Sequence, residues 1–200
     1  MSRYTGPRLR VMRALGVNLP GLSGKSIDKN PHPPGQHGPT ARRKLSLYAE
    51  RLREKQKLRF HYGLTERQMR IIAERAARAP QSTALIFVRL LELRLDNVLF
   101  RAGFARTNGA SRQLVRHGHV TVNGHVLDIP SARLRRGDEL AIRPSGHKAV
   151  RLQQAKGEAL ARPDWIDVDN EALTARVTGI PDEAAVPFPI DMRLVVEFYS

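Results

Sequence analysis

Cysteine is absent from the chain. Disulfides and thiolate metal sites are excluded with it, and the redox compartment is left open. No run of about 18 apolar residues occurs, so nothing in the sequence is expected to span a membrane. The basic start has no apolar core segment or cleavage pattern, so no signal peptide is expected and a cytoplasmic protein is the simplest reading. Acidic residues are scarce: 19 Asp and Glu face 34 Lys and Arg among 200 residues, a net charge of +15. The pI of about 11.2 follows. Hydrophobic residues make up 41%, enough for one or two small cores.

A chain this basic usually meets a polyanion, nucleic acid first and an anionic membrane surface second. The charge is graded along the sequence. Residues 1–60 carry +11, residues 61–150 carry +8, and residues 151–200 carry −4. Evenly mixed surface charge would not grade this way.

Residues 1–44 form an arm. Twelve glycines and prolines between Gly6 and Pro39 prevent long helices and ladders, and basic residues are interleaved. Free in solution the arm is expected to be largely disordered, and to order along phosphates. Residues 45–63 read as a helix ending at Gly63, with Leu45, Tyr48 and Leu52 facing a core. Its other faces crowd Arg51, Arg53, Lys55, Lys57 and Arg59. Like charges four apart oppose the helix by a few tenths of a kcal/mol each, a cost that a phosphate backbone would reverse. Thr65 and Gln68 have capping-box spacing and start a helix with the stripe Met69, Ile72, Ala73 and Ala76. A further helix spans about Ser82–Leu93. Residues 45–93 thus read as a helical domain, with the apolar end 184–200 packing back on it.

Residues 94–157 read as a second module, and 158–183 as its strand-containing extension. Leu95, Val98, Leu99 and Ala102 keep one helical face until Gly103. Thr107 or Asn108 can cap a helix over Ala110–His117. Val120 and Val122 alternate before Asn123-Gly124, whose two turn positions need positive φ. Leu127 and Ile129 alternate in the expected returning strand, Gly137-Asp138 makes a second turn, and Leu140 and Ile142 begin another strand. The fold class is therefore α+β: an extended basic arm, a small helical domain, and a module of two helices plus antiparallel strands.

Arg112 and Arg116 are four apart on one helix face, where both can reach one RNA backbone. A-form RNA is read by shape, phosphate and 2′-hydroxyl, which suits the arginine fork. His117 and His119 read equally as phosphate donors or as ordinary surface histidines. Asn123 is first a turn residue. Tyr4, Tyr48, His61 and Tyr62 are candidates for stacking on bases, with core packing the alternative for the tyrosines. Asp96 fits a helix N-cap or a partner to Arg94 or Arg101.

Several segments together resemble a known family. These are Arg3-Tyr4-Thr5-Gly6-Pro7, Pro33-Pro34-Gly35-Gln36-His37-Gly38, Arg53-Glu54-Lys55-Gln56-Lys57 and Arg94-Leu95-Asp96-Asn97-Val98. Arg112-Gln113-Leu114-Val115-Arg116-His117-Gly118-His119, Val122-Asn123-Gly124 and the final Val196-Glu197-Phe198-Tyr199-Ser200 complete the set. Their order and spacing resemble the bacterial small-subunit ribosomal protein S-four family, over essentially the whole chain. The resemblance implies a primary binder of small-subunit ribosomal RNA that helps nucleate assembly and influences translational accuracy with a neighbouring protein, protein five. It also implies a path past messenger RNA where that enters the subunit.

Two departures stand out. Leu9 and Met12 occupy the places of the first two cysteines of a zinc cluster carried by many members. The chain looks like the cysteine-free form, and His32 and His37 are too few to hold zinc. At Arg106-Thr107-Asn108 the family often has a Ser-Ser-Arg-type run, so Asn108 stands where an arginine is usual. Arg94-Leu95-Asp96 also resembles the catalytic triplet of pseudouridine synthases, but only about sixty residues follow this module and no nucleophile, base and pocket are visible. No enzyme activity, cofactor or metal is expected. The candidate RNA contacts in the arm are Arg3, Arg8, Arg10, Arg13, Lys25, Arg42, Arg43 and Lys44. Arg51, Arg53, Lys55, Lys57 and Arg59 follow in the first domain helix. Arg106, Arg112, Arg116, His117, His119 and Asn123 follow in the module.

Overall fold

The computed structural model describes residues 4–40, 44–155 and 160–200. Its helices are α1 (Arg8–Leu15), α2 (Leu47–His61), α3 (Glu66–Ala77), α4 (Thr83–Glu92), α5 (Leu95–Arg101), α6 (Asn108–Arg116), α7 (Pro144–Gln154) and α8 (Met192–Tyr199). Its strands are β1 (Val120–Val122), β2 (His125–Val126), β3 (Glu139–Ile142), β4 (Ile166–Asp169) and β5 (Thr174–Val177). The chain divides into two compact units, Met1–Phe87 with Val186–Ser200, and Val88–Ala185. The division falls inside α4.

In the first unit, α3 begins on the capping box its sequence foretells. Thr65 Oγ1 accepts from the Gln68 amide at 3.3 Å, and Gln68 Oε1 accepts from the Thr65 amide at 3.0 Å. The stripe Met69, Ile72, Ala73 and Ala76 is buried. At the end of α2, Gly63 takes φ 61°, and the Leu64 amide reaches back to the Arg59 carbonyl at 3.0 Å.

The face that α2 buries differs from the expected one. Leu45 and Tyr48 are exposed, Tyr48 by 64%, while Lys55, Leu58 and His61 are buried. The cause is α8, which packs along α2 and sets the contact line. The methylene stem of Lys55 supplies apolar surface that periodicity in residue type does not count.

The arm also departs from expectation. Residues 8–15 are helical and end at Gly16 with φ 64°. Met12, Leu15, Leu19 and Ile27 are buried. Asn18 ties the following loop together, donating from Nδ2 to Asp28 Oδ1 at 3.2 Å and accepting from the Ile27 amide at 2.9 Å. Four well-spaced apolar side chains thus anchor a segment whose glycine and proline content alone predicts disorder.

In the second unit one antiparallel sheet has the order β2-β1-β3-β5-β4. Asn123 and Gly124 take φ 50° and 82°, as the two-residue hairpin requires. Val120 faces Ile142, and Leu140 faces Ala175. Together with Leu95, Val98, Leu99, Phe104, Leu114, Val115, Val150 and Val177 they form one core. Residues of 158–183 supply β4 and β5, so they complete this sheet.

The returning strand is shorter than its alternation suggests. β2 stops at Val126 and Ile129 is exposed. The chain instead turns along the start of α5, where the Asp96 amide donates to the Pro130 carbonyl at 3.1 Å and the Leu95 amide to the Ala132 carbonyl at 2.8 Å. Helix α7 was not expected, because it buries only Gly146 and Val150. A stripe that narrow gives little periodic signal.

Candidate RNA-binding site

Each unit carries its own basic surface. In the second unit, Thr107 caps α6 by accepting from the Ala110 amide at 3.1 Å. The residues around that helix then separate by environment. Arg106, Arg116 and His117 are exposed, Arg112 is partly buried, and Asn108 is buried. Gly118, at φ 69°, turns the chain so that the His117 and His119 rings lie 6.0 Å apart. His119 Nδ1 is 3.0 Å from Ser145 Oγ at the start of α7, and Arg143 Nη1 donates to the Gly118 carbonyl at 3.0 Å.

Asn123 is spent on the turn. Its Nδ2 donates to Asp138 Oδ1 at 2.9 Å, and its Oδ1 accepts from the Glu139 amide at 2.9 Å. Arg135 and Arg136 are exposed immediately before Gly137. Sequence reasoning passed over them, although a run of arginines beside a turn glycine was a usable signal.

The start of α5 is a buried polar cluster. Arg94 donates to both oxygens of Asp96, from Nε to Oδ1 at 3.0 Å and from Nη2 to Oδ2 at 2.7 Å. Arg112 Nε lies 3.7 Å from the same Oδ2. Arg94, not Asp96, holds the N-cap position of α5. Arg101 pairs instead with Glu92, 3.4 Å away, whose carboxylate also accepts from Asn97 Nδ2 at 2.9 Å. Burial pulls the Arg112 guanidinium below its usual range, Asp96 opposes that, and Arg94 adds to it. Arginine stays charged through such a shift.

In the first unit several candidate arginines act as ties. Arg13 donates to the His32 carbonyl at 2.9 Å, and Arg8 donates to the Leu22 carbonyl at 3.2 Å. Arg53 donates to the Leu15 carbonyl from Nε at 2.9 Å and from Nη2 at 2.6 Å. Arg51 pairs with Glu197 at 2.8 Å, Lys57 pairs with Glu54 at 2.6 Å, and Arg59 donates to Gln56 Oε1 at 3.1 Å. All three remain partly exposed, while Arg10, Lys25 and Lys44 are exposed. Arg3, Arg42 and Arg43 lie outside the described residues.

Lys55 leaves the candidate set. Its side chain is 5% exposed, its Nζ pairs with Glu66 at 2.9 Å, and it sits 4.4 Å from the centre of the Phe198 ring. A basic residue in a helix with several basic faces had to cover α8, and Lys55 occupies that line. Glu66 also accepts from Tyr199 OH at 2.9 Å. Burial acts to raise the Glu66 carboxyl, but the bonds from Lys55 and Tyr199 and the charges of Lys55 and Arg59 hold it below its usual value. The Tyr199 hydroxyl is pushed up, by burial first and then by Glu66. His61 and Tyr62 are both buried in this unit and not available to bases, whereas Tyr48 is exposed.

Among the described residues no three His, Asp or Glu side chains gather as a metal site. No helix among them is long and apolar enough to cross a membrane.

In the second unit helices α5 and α6 lead into a tight hairpin, and the helical domain precedes them in sequence. Residues 3–92 match the model of the ribosomal protein S4/S9 N-terminal domain, and residues 93–140 match the S4 domain. The chain is 50% identical over 202 residues to the small ribosomal subunit protein uS4 of Methylobacillus flagellatus, covering all of this chain and 98% of that protein. It is likewise 50% identical to uS4B of Nitrosomonas europaea, with the same coverage. It is 44% identical over 200 residues to uS4 of a Geobacillus species, covering both chains in full. The chain therefore belongs to the uS4 family of ribosomal proteins, which are structural proteins and not enzymes.

Proposed function

We propose that this chain is a structural component of the small ribosomal subunit that binds small-subunit ribosomal RNA through two separate basic surfaces. It binds early, helps nucleate subunit assembly, and influences translational accuracy together with a neighbouring protein, protein five. It also lies beside messenger RNA where that enters the subunit, and so resides on cytoplasmic ribosomes. The observation that carries the reading is the full-length relationship to small ribosomal subunit proteins.

Surface chemistry supports it. Arg106, Arg116, His117, Arg10, Lys25 and Lys44 are exposed, and Arg51, Lys57, Arg59 and Arg112 are reachable at their edges. Phosphate neutralisation by such a set releases counterions, so affinity falls steeply as salt rises. The arginines that tie the arm act indirectly, by holding Arg10 and Lys25 on a formed surface. Chemical footprinting of small-subunit RNA with and without the chain tests the reading. Protection confined to one junction of several helices is expected. Uniform or absent protection overturns it.

A further inference from the structure

Asp96 is the unusual group in the second unit. Its side chain is 4% exposed and carries two guanidiniums, those of Arg94 and Arg112. Arg94 already neutralises it through two hydrogen bonds and is itself sealed, with 6% of its side chain exposed. Charge balance therefore does not require a second arginine. Yet Arg112 approaches the same oxygen from α6 by its Nε edge, with 19% of its side chain exposed. Arg116, one turn further along, is exposed.

We infer that Asp96 is a positioning residue for RNA recognition, its Arg94-anchored carboxylate holding Arg112 by the Nε edge for contact with folded RNA. The inference rests on the RNA-binding reading of the same surface. It divides labour between two arginines on one helix face. Arg116 is adaptable and meets any phosphate. Arg112 is already paired with Asp96 at 3.7 Å, so on this reading it loses less rotamer freedom on contact and favours phosphates set at one geometry. Discrimination between folded and unstructured RNA should then depend on Asp96, although Asp96 carries the charge that RNA repels.

The test is a double-mutant cycle on the full-length protein. Filter binding is measured for in-vitro-transcribed small-subunit ribosomal RNA and for poly(U), across a range of potassium chloride. Asp96→Asn is expected to weaken binding to the ribosomal RNA roughly tenfold when Arg112 is present and less than about twofold beside Arg112→Ala. Binding to poly(U) should change by less than about twofold in either background. Equal losses with and without Arg112, or a gain in affinity on removing the acidic charge, overturn the inference. Circular dichroism checks that Asp96→Asn folds.

If it does not fold, Arg112→Lys decides. Lysine keeps the charge but lacks the Nε contact. Behaviour like Arg112→Ala supports positioning, and behaviour like wild type overturns it. A wild-type chain that fails to prefer ribosomal RNA over poly(U) shows instead that the RNA-binding reading itself is wrong.

Discussion

Replacing Lys55 separates a structural lysine from an RNA-facing one. Its ammonium pairs with Glu66 at 2.9 Å and lies 4.4 Å from the Phe198 ring centre. Lys55→Ala removes three buried methylenes at about 0.8 kcal/mol each. It also removes a cation–π contact of about 1 kcal/mol and an ion pair of about 0.5 kcal/mol, the latter small because Glu66 is 41% exposed. Returning the ammonium to water offsets roughly 1 to 2 kcal/mol. A net loss of roughly 2 kcal/mol is expected in urea denaturation followed by far-UV circular dichroism. Lys55→Met keeps the stem and should stay within about 1 kcal/mol of wild type. Neither variant should alter the salt dependence of RNA binding. A stability change below about 0.5 kcal/mol for Lys55→Ala, with a shallower salt slope, would refute the buried placement.

The Glu66 carboxyl is lowered from 4.5, so its contribution to stability is present above that value and fades as pH falls through the carboxylate range. Glu66→Gln should remove that part of the acid dependence in pH-resolved denaturation. Tyr199 is raised from 10.0, so its contribution holds below pH 10 and is lost above it; Tyr199→Phe should flatten the alkaline limb. A β-carbon at Gly146 would sit 2.8 Å from His119 Cβ and 3.0 Å from Ile142 Cγ2. Gly146→Ala should therefore lower the melting temperature, the reverse of the usual helical outcome, and a rise would show that α7 shifts freely. Arg112→Ala with Arg116→Ala should weaken RNA binding and reduce its salt slope by up to about two units with the fold intact, and an unchanged slope would mean α6 faces elsewhere.

What was legible in the sequence was local. Thr65 with Gln68, Thr107 before α6, and Asn123-Gly124 each satisfy backbone groups within a few residues, so spacing alone carries the information. The stripe of α3 is read the same way. What stayed hidden depends on partners distant in sequence. Lys55 is buried by Phe198, and Arg53 is drawn to the Leu15 carbonyl 38 residues away. The choice of Glu92 over Asp96 by Arg101 turns on side-chain reach inside a folded cluster. Charge composition marked these residues as basic but could not say which would be consumed by the fold.

Membership of the small ribosomal subunit underlies every RNA contact proposed for the chain. It is tested most directly by sedimenting cell extract containing a tagged copy through a sucrose gradient and washing the isolated small subunits in high salt. The chain is expected at about one copy per mature subunit after the wash, because contacts to folded RNA beyond phosphate neutralisation persist when the salt-dependent share of the affinity has fallen. Recovery of the chain only in the free protein fraction would contradict the account.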